Sequence, residues 1–116
     1  MVKVNKWDIC FCKLDPTLGS EQRGTRPVLV VSNNAVNQHL PVCTVLPLSA
    51  IKPTDKIYPT EITLPTSATG LPKNSVAMVQ QIRTVARERL EPAVGQLSDA
   101  ALQRAVLDAL RTYFEI

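Results

Sequence analysis

The sequence offers little for metal-dependent or triad-based catalysis, because it holds one histidine and three cysteines among 116 residues. Cys10 and Cys12 would place two thiols on one face of a strand, but no second pair of ligands stands at the spacing that zinc sites use. A catalytic triad would have to use His39, which lies in a turn-prone segment beside Leu40 and Pro41, where we expect it to be solvated. The sequence therefore argues against a metal site and predicts no cofactor.

Long apolar runs and phosphate-binding glycine motifs are absent as well. No run approaches the roughly 18 residues that a membrane-spanning helix needs, and residues 1–10 lack the apolar stretch of a signal peptide. Neither GxxxxGK[ST] nor GxGxxG occurs, so a nucleotide cradle is not expected. The odd number of cysteines, with apolar neighbours around Cys10 and Cys12, indicates reduced and packed thiols. We therefore expect a cytoplasmic protein without a membrane segment.

What is present is the composition of an ordinary globular protein. Hydrophobic residues make up 45% of the chain and charged residues 20%, and this length suffices for one domain with its own core. The net charge of +3 permits a nucleic-acid or acidic partner without requiring one. We predict a single domain that spans residues 1–116.

Short apolar or alternating segments, separated by turn residues, predict five or six strands. The first segment, 7–14, carries apolar side chains on both faces, so we expect it to be a central strand. The following strands are predicted at 27–32, 42–48, 61–64, 75–79 and 83–85. Pro47, near the end of the third strand, indicates a sheet edge or a bulge at that point.

The hydrophobic period changes near the C-terminus. Ser98 can cap a helix over 99–114, because side-chain oxygens at this position accept backbone N–H groups. Apolar residues then recur at helical spacing and form one buried stripe. Leu107 and Phe114 fall off that stripe as a second small patch, which is either partly covered by loops or an interface with a second subunit or a partner. These elements together predict a mainly β fold with some α structure, namely a small, strongly curved antiparallel sheet or barrel capped by a C-terminal helix.

The polar loop between the first two strands is the most informative stretch. It carries Glu21, Gln22 and Arg23, and it ends at Arg26, immediately before Pro27 and an apolar strand. An arginine there has an anchored base and a tip that can enter a cleft, and its planar, permanently charged guanidinium matches phosphate oxygens. From the residues alone, Arg26 either binds a phosphate or pairs with a loop acid to rigidify the loop.

The segment from Gly19 to Asn33 carries the block G-S-E-Q-x-G-x-R-P-V-L-V-V-S-N. Trp7-Asp8-Ile9 precedes it, and the segment Gln81–Val85 follows it as Q-I-R-T-V, so the motifs are collinear over nearly the whole chain. With these motifs the chain resembles the MazF/PemK (Kid-like) toxins of bacterial toxin–antitoxin systems. Trp7 is one departure, because many members carry glycine at that position.

The resemblance implies an SH3-like barrel with a C-terminal helix, a homodimer, and sequence-specific, metal-independent cleavage of single-stranded RNA that a cognate antitoxin inhibits. The family's catalytic arginine falls on Arg26. Its catalytic hydroxyl, usually a threonine, falls on Ser49. Serine keeps the hydroxyl but loses the methyl group that restrains χ1.

The chemistry expected from this resemblance uses the RNA's own 2′-OH as the nucleophile and leaves 2′,3′-cyclic phosphate and 5′-OH ends. Arg26 would stabilise the dianionic transition state, and Ser49 would donate to a non-bridging oxygen. Glu21 is the candidate general base, or else it orients Arg26. The residues expected to bind RNA, whose amides and guanidinium suit base edges and phosphates, are Gln22, Gln81 and Arg83.

Two other interpretations stay open at this point. The same small barrel occurs in toxins that poison gyrase by protein contact and catalyse nothing. Alternatively, the chain is an inactive RNA-binding module in which serine at position 49 reflects lost activity. The G-S-E-Q-x-G-x-R-P block favours the enzyme, because a gyrase poison needs no phosphate-binding arginine there.

Overall fold

The computed structural model describes residues 1–116. Seven strands and three α helices follow one another along the chain, with two short 3-10 turns at Val79–Gln81 and Arg87–Arg89. Their bounds are β1 Asp8–Lys13, β2 Thr25–Val30, α1 Asn34–His39, β3 Val42–Ala50, β4 Glu61–Leu64, α2 Thr66–Thr69, β5 Ser75–Met78, β6 Arg83–Ala86, β7 Gly95–Gln96 and α3 Ala100–Phe114. None of these helices is both long and apolar enough to cross a membrane.

All strands pair antiparallel in the order β4-β5-β3-β2-β1-β7, and β6 joins β3. The nine-residue strand β3 is the centre of the sheet: Val42–Val45 pair with β6 and Leu48–Ala50 pair with β5. Pro47 lies between these two ladders, where a missing N–H costs no bond on that edge. Of the two alternatives predicted at Pro47, a sheet edge or a bulge, the sheet edge is wrong, because β3 has neighbours on both sides.

Both faces of the sheet are buried, which confirms the expectation for the first strand. Ile9 of β1 belongs to a core that packs beneath α3 through Val106 and Ala109. Cys10 and Cys12 of the same strand belong to a second core on the opposite face. The alternation of side chains along a strand produces this division. A curled antiparallel sheet with a C-terminal helix is thus confirmed as the fold.

Helix α3 begins one residue later than predicted. Asp99, and not Ser98, is the N-cap, and its Oδ1 accepts the N–H of Leu102 at 3.0 Å. Aspartate and serine are about equally favourable as N-cap residues, but aspartate also places a negative charge at the positive end of the helix dipole. The off-stripe patch is partly covered, since Leu107 is half-buried whereas Phe114 is 51% exposed.

Several boundaries differ from the prediction for identifiable reasons. β2 begins at Thr25 and ends at Val30, so Pro27 lies inside the strand, where it pairs with Phe11. β3 continues through Ala50, because its last residues pair with β5. This pairing joins distant segments, so the local sequence pattern does not indicate it. The predicted loop at 65–74 contains the short helix α2, and β7 is an additional two-residue strand.

Trp7 adopts a left-handed backbone conformation, with φ at 76°. Glycine adopts this conformation without a steric cost, whereas a residue with a Cβ pays about 1–2 kcal/mol. The Trp7 N–H donates to the carbonyl of Val30, and the Trp7 carbonyl accepts the N–H of Leu97. The half-buried indole also packs against the core beneath α3, which offsets part of the strain.

Candidate functional site

A groove opens where β2 and β3 stop pairing. Their ladder ends at the pair Val28–Pro47. Residues beyond that pair on both strands line a groove of about 520 Å³. Its charged lining residues are all cations, namely Arg23, Arg26 and Lys73. A groove with three positive charges and no acid attracts an anionic backbone.

Strand alternation brings three of the predicted site residues to one face of the sheet. Arg26 pairs with Cys12, so the two share a face, and Val28 lies on it two residues later. Ser49 stands two residues beyond Pro47, the partner of Val28, and therefore projects from the same face. Arg83 joins them, because it pairs with Val45 on this side.

The side chain of Arg26 is left free to bind an anion. Its Nε donates to the carbonyl of Arg23 at 3.1 Å, and this is the one hydrogen bond that the side chain makes. The single ion pair of the chain, Arg111 with Asp108, lies far away on α3. The alternative in which a loop acid pairs with Arg26 is therefore not what the structure shows.

Ser49 lines a second concavity that adjoins the cationic groove. Ala50 lines both, so the two spaces adjoin at this residue. The half-buried Ser49 pairs with Val76 of β5, and its hydroxyl makes no hydrogen bond within the protein. Arg26 and Ser49 thus line two adjoining spaces, and no hydrogen bond joins their side chains.

Glu21 forms hydrogen bonds within the loop that carries it. Its Oε1 accepts the N–H of Leu18 at 2.6 Å, and its N–H donates to the carbonyl of Leu18 at 3.1 Å. Glu21 lines neither the groove of Arg26 nor the concavity of Ser49. It lies in a third depression beside Pro47, together with the three predicted RNA-binding residues, which are Gln22, Gln81 and Arg83.

The predicted RNA-binding residues hold the loop in this structure. The Gln81 amide accepts the Gln22 N–H at 3.2 Å through Oε1 and donates to the carbonyl of Ser20 at 3.1 Å through Nε2. Arg83 donates to the carbonyl of Leu14 at 2.9 Å. The Gln22 Oε1 is buried without a hydrogen-bond partner. These contacts build the loop that carries Arg26 toward the groove.

The histidine and the cysteines line neither the groove of Arg26 nor the concavity of Ser49. His39 is exposed at the end of α1, as predicted. The three thiols are free and buried. Burial raises the pKa of Cys10 to about 12 and that of Cys43 to about 11. No cluster of three or more His, Cys, Asp or Glu side chains is positioned to hold a metal ion.

Lys73 is a site residue that the sequence prediction missed. It is exposed, follows Gly70-Leu71-Pro72, and lines the cationic groove together with the first residues of β2. Nothing near it in sequence indicates an anion site, because the two cations that share the groove with it, Arg23 and Arg26, come from the loop before β2 and from β2. The one available signal was a lone basic residue in the loop that leads into a predicted strand.

Residues 5–114 match the family described as the PemK-like, MazF-like toxin of type II toxin–antitoxin systems. The chain belongs to this family. The resemblance inferred from the G-S-E-Q-x-G-x-R-P block is thereby confirmed. A curated member, endoribonuclease EndoA of Bacillus subtilis, is 34% identical over 101 residues, which cover 87% of this toxin and 86% of that protein.

Solved structures of the family share the fold. MazF of Deinococcus radiodurans superposes on this toxin with a TM-score of 0.83 at 24% identity, over 100% of both chains. A MazE–MazF structure from the same organism gives a TM-score of 0.74 at 24% identity, over 100% of this chain and 99% of that one. At these identities the superpositions establish the architecture and nothing further.

Proposed function

We propose that this toxin is an endoribonuclease that cleaves single-stranded RNA within a short sequence, without a metal. The observation that carries the proposal is the groove between β2 and β3, which is lined by Arg26, two further cations and no acid. Such a lining suits a phosphodiester backbone, and splayed single-stranded bases leave their edges free to be read. Membership of the toxin family and the curated endoribonuclease relative support it.

The reaction is attack of the RNA's 2′-OH on the adjacent phosphorus. A bond forms from the 2′ oxygen to phosphorus while the bond from phosphorus to the 5′ oxygen breaks, leaving a 2′,3′-cyclic phosphate and a 5′-OH. The guanidinium of Arg26 stabilises the extra negative charge on the phosphoryl oxygens. Ser49, with an uncommitted hydroxyl on the same face of the sheet, donates to a non-bridging oxygen.

Glu21 is the least direct member of the proposed set. Its Oε1 is committed to the N–H of Leu18, so Oε2 is the oxygen that remains to accept a proton from the 2′-OH. The carboxylate also fixes the loop, and this contact alone gives Glu21 a role in placing Arg26. We assign it loop placement first and proton transfer second.

Two protein partners complete the proposed function. A cognate antitoxin inhibits the toxin by laying an acidic segment along the cationic groove, in keeping with the toxin–antitoxin family and with the MazE–MazF complex of Deinococcus radiodurans. A second copy of the chain covers the apolar patch of Leu107 and Phe114 on α3, where Phe114 is 51% exposed. Light scattering of the purified toxin tests the dimer, which requires twice the mass of one chain.

One observation favours a second candidate, an RNA-binding module that does not cleave. The groove of Arg26 contains no carboxylate and no histidine, so no side chain that commonly acts as a general base lines it. This candidate shares the RNA contact and lacks the reaction. Cleavage products therefore decide between the two.

The test incubates the purified toxin with mixed-sequence RNA in EDTA. We expect discrete fragments with 2′,3′-cyclic phosphate ends, and we expect Arg26→Ala to abolish them while circular dichroism shows an intact fold. Arg104→Ala is the matched control, because Arg104 is exposed on α3, away from the groove. Intact RNA with retained binding would favour the second candidate, and gyrase inhibition instead would favour the protein-binding toxin.

A further inference from the structure

The concavity that holds Ser49 contains an exposed aromatic ring. This space has a volume of about 290 Å³, and its rim includes Ile57 and Tyr58 of the loop between β3 and β4. Tyr58 is 53% exposed and Ile57 is 41% exposed. These two adjacent side chains form an exposed apolar patch beside the hydroxyl of Ser49, and a contiguous patch of this kind suits a ligand surface.

Hydrogen bonds to Glu61 hold the backbone of Tyr58 in place. The N–H of Tyr58 donates to Glu61 Oε1 at 2.9 Å, and the carbonyl of Tyr58 accepts the N–H of Glu61 at 2.9 Å. Glu61 Oε2 in turn accepts the side-chain amide of Gln80 at 2.7 Å. The ammonium of Lys56 lies 5.6 Å from the centroid of the Tyr58 ring, within cation–π range.

The two adjoining spaces differ in the charge of their lining residues and therefore suit different ligands. The groove of Arg26 has cations only, whereas the concavity of Ser49 is lined by Asp55 and Glu61 as well as Lys56. Both acids accept hydrogen bonds from backbone N–H groups, Asp55 from Lys52 and Glu61 from Tyr58. A phosphate therefore prefers the groove, and an uncharged ring that can stack prefers the concavity.

We propose that Tyr58 is a stacking platform for the nucleobase next to the scissile phosphate, with the strand crossing Ala50 between the two spaces. The inference rests on the proposed RNA cleavage and adds a binding residue to it. Tyr58 contacts the base through its π face, and its hydroxyl is not needed. Aromatic stacking tolerates any base, so this contact supplies affinity and position, and the sequence preference comes from other groups.

The test first maps a cleavage site with the parent toxin. A matching oligonucleotide with 2′-deoxy at the reacting nucleotide then measures binding without cleavage. Loss of one stacked base weakens binding by about 5- to 150-fold, so Tyr58→Ala is expected to raise the dissociation constant within that range. Tyr58→Phe is expected to bind within about twofold of the parent, because the π face is kept.

The salt dependence of binding separates stacking from a general loss of structure. Tyr58→Ala is expected to leave the slope of log K against log salt unchanged, since a stacked base releases no counterion. Lys73→Ala, which removes a groove cation, is expected to reduce the slope by about 1. Tyr113→Ala is the matched control, because the second tyrosine of the chain is exposed on α3.

Each outcome bears on the inference. Binding of Tyr58→Ala within about twofold of the parent, or equal weakening by Tyr58→Phe or Tyr113→Ala, overturns the platform and leaves the proposed cleavage in place. A parent toxin that cleaves no RNA overturns both. Selective weakening by Tyr58→Ala at an unchanged salt slope supports the platform.

Discussion

Gln81 holds the backbone of Gln22 from across 59 residues of chain, with its Oε1 3.2 Å from the Gln22 nitrogen. The other end of the same amide binds the carbonyl of Ser20. One side chain therefore uses both of its polar ends to fasten the loop that leads to Arg26. The position of the proposed catalytic arginine depends on the turn that follows β5.

Replacing Gln81 tests this dependence. Gln81→Ala removes two hydrogen bonds, which together contribute about 1–3 kcal/mol to the closed loop. We expect the amide hydrogens near Gln22 to exchange faster and cleavage to slow at least tenfold. The free energy of global unfolding should fall by less than the roughly 1–3 kcal/mol that the closed loop loses. Hydrogen exchange and single-turnover cleavage measure the two effects. Gln38→Ala, on the exposed face of α1, is the control. Unchanged exchange at Gln22 would show that the clamp is not needed.

Ser49 is tested by removing its hydroxyl and by restoring the family's methyl group. Ser49→Ala is expected to slow cleavage by about 100- to 1,000-fold, the range for loss of one donor to a transition-state oxyanion. Ser49→Thr is expected to cleave at least as fast as the parent, because the added methyl restricts χ1. Both rates are measured under single-turnover conditions. Cleavage by Ser49→Ala at the parent rate would remove Ser49 from the mechanism.

The two further cations of the groove are expected to act on binding alone. Lys73→Ala and Arg23→Ala should each weaken RNA binding for all sequences and reduce the salt slope by about 1, because each removes one phosphate contact. The cleavage rate of saturated enzyme should change little. Fluorescence anisotropy at several salt concentrations measures the slope, and Lys3→Ala at the exposed N-terminal segment is the control. A slope that stays at the parent value would place the RNA elsewhere.

The buried thiols predict a loss of stability at high pH. Burial raises the pKa of Cys10 from 9.0 to about 12 and the pKa of Cys43 from 9.0 to about 11. The unfolded chain therefore releases these protons first, so their contribution is complete below about pH 9 and declines as the pH rises toward 11–12. The free energy of unfolding should fall by up to about 1.4 kcal/mol per pH unit for each thiol.

Urea unfolding in reducing buffer between pH 7 and 10.5 measures this decline. Cys43→Ala supplies the comparison, because it removes one titrating thiol while lysines and tyrosines titrate as before. The variant is expected to be less stable at pH 7, through the small cavity it leaves, and to lose stability less steeply above pH 9. Parallel curves for parent and variant would mean that Cys43 does not titrate between the two states.

The placement of Arg26 beside a cleft could be predicted from sequence because its signal is local. A loop with acids and arginines runs directly into an apolar strand, and the structure confirms that β2 carries Arg26 to a groove. The first strand could be predicted equally well, since a strand with apolar side chains on both faces must be buried on both sides. Local pattern also identified α3, although two adjacent capping residues, Ser98 and Asp99, compete there and the sequence does not decide between them.

The surroundings of Arg26 could not be predicted, because they depend on contacts between distant segments. Lys73 reaches the groove only because β5 pairs with the end of β3, where Ala50 faces Ser75. Arg83 meets the Leu14 carbonyl across 69 residues. No pattern within one strand indicates that a polar side chain will form a hydrogen bond with a backbone group so far away in the sequence.

The most direct test of the central claim compares an RNA with its counterpart carrying a single 2′-deoxy at the mapped cleavage site, using the parent toxin and Arg26→Ala in EDTA. We predict that the parent cleaves only the RNA, leaves a 2′,3′-cyclic phosphate, and binds both strands with similar affinity. Arg26→Ala should bind the RNA and cleave it at least 1,000-fold more slowly, on the order of the loss of a main oxyanion contact. Cleavage at the deoxy position, or an unchanged rate with Arg26→Ala, would contradict the account.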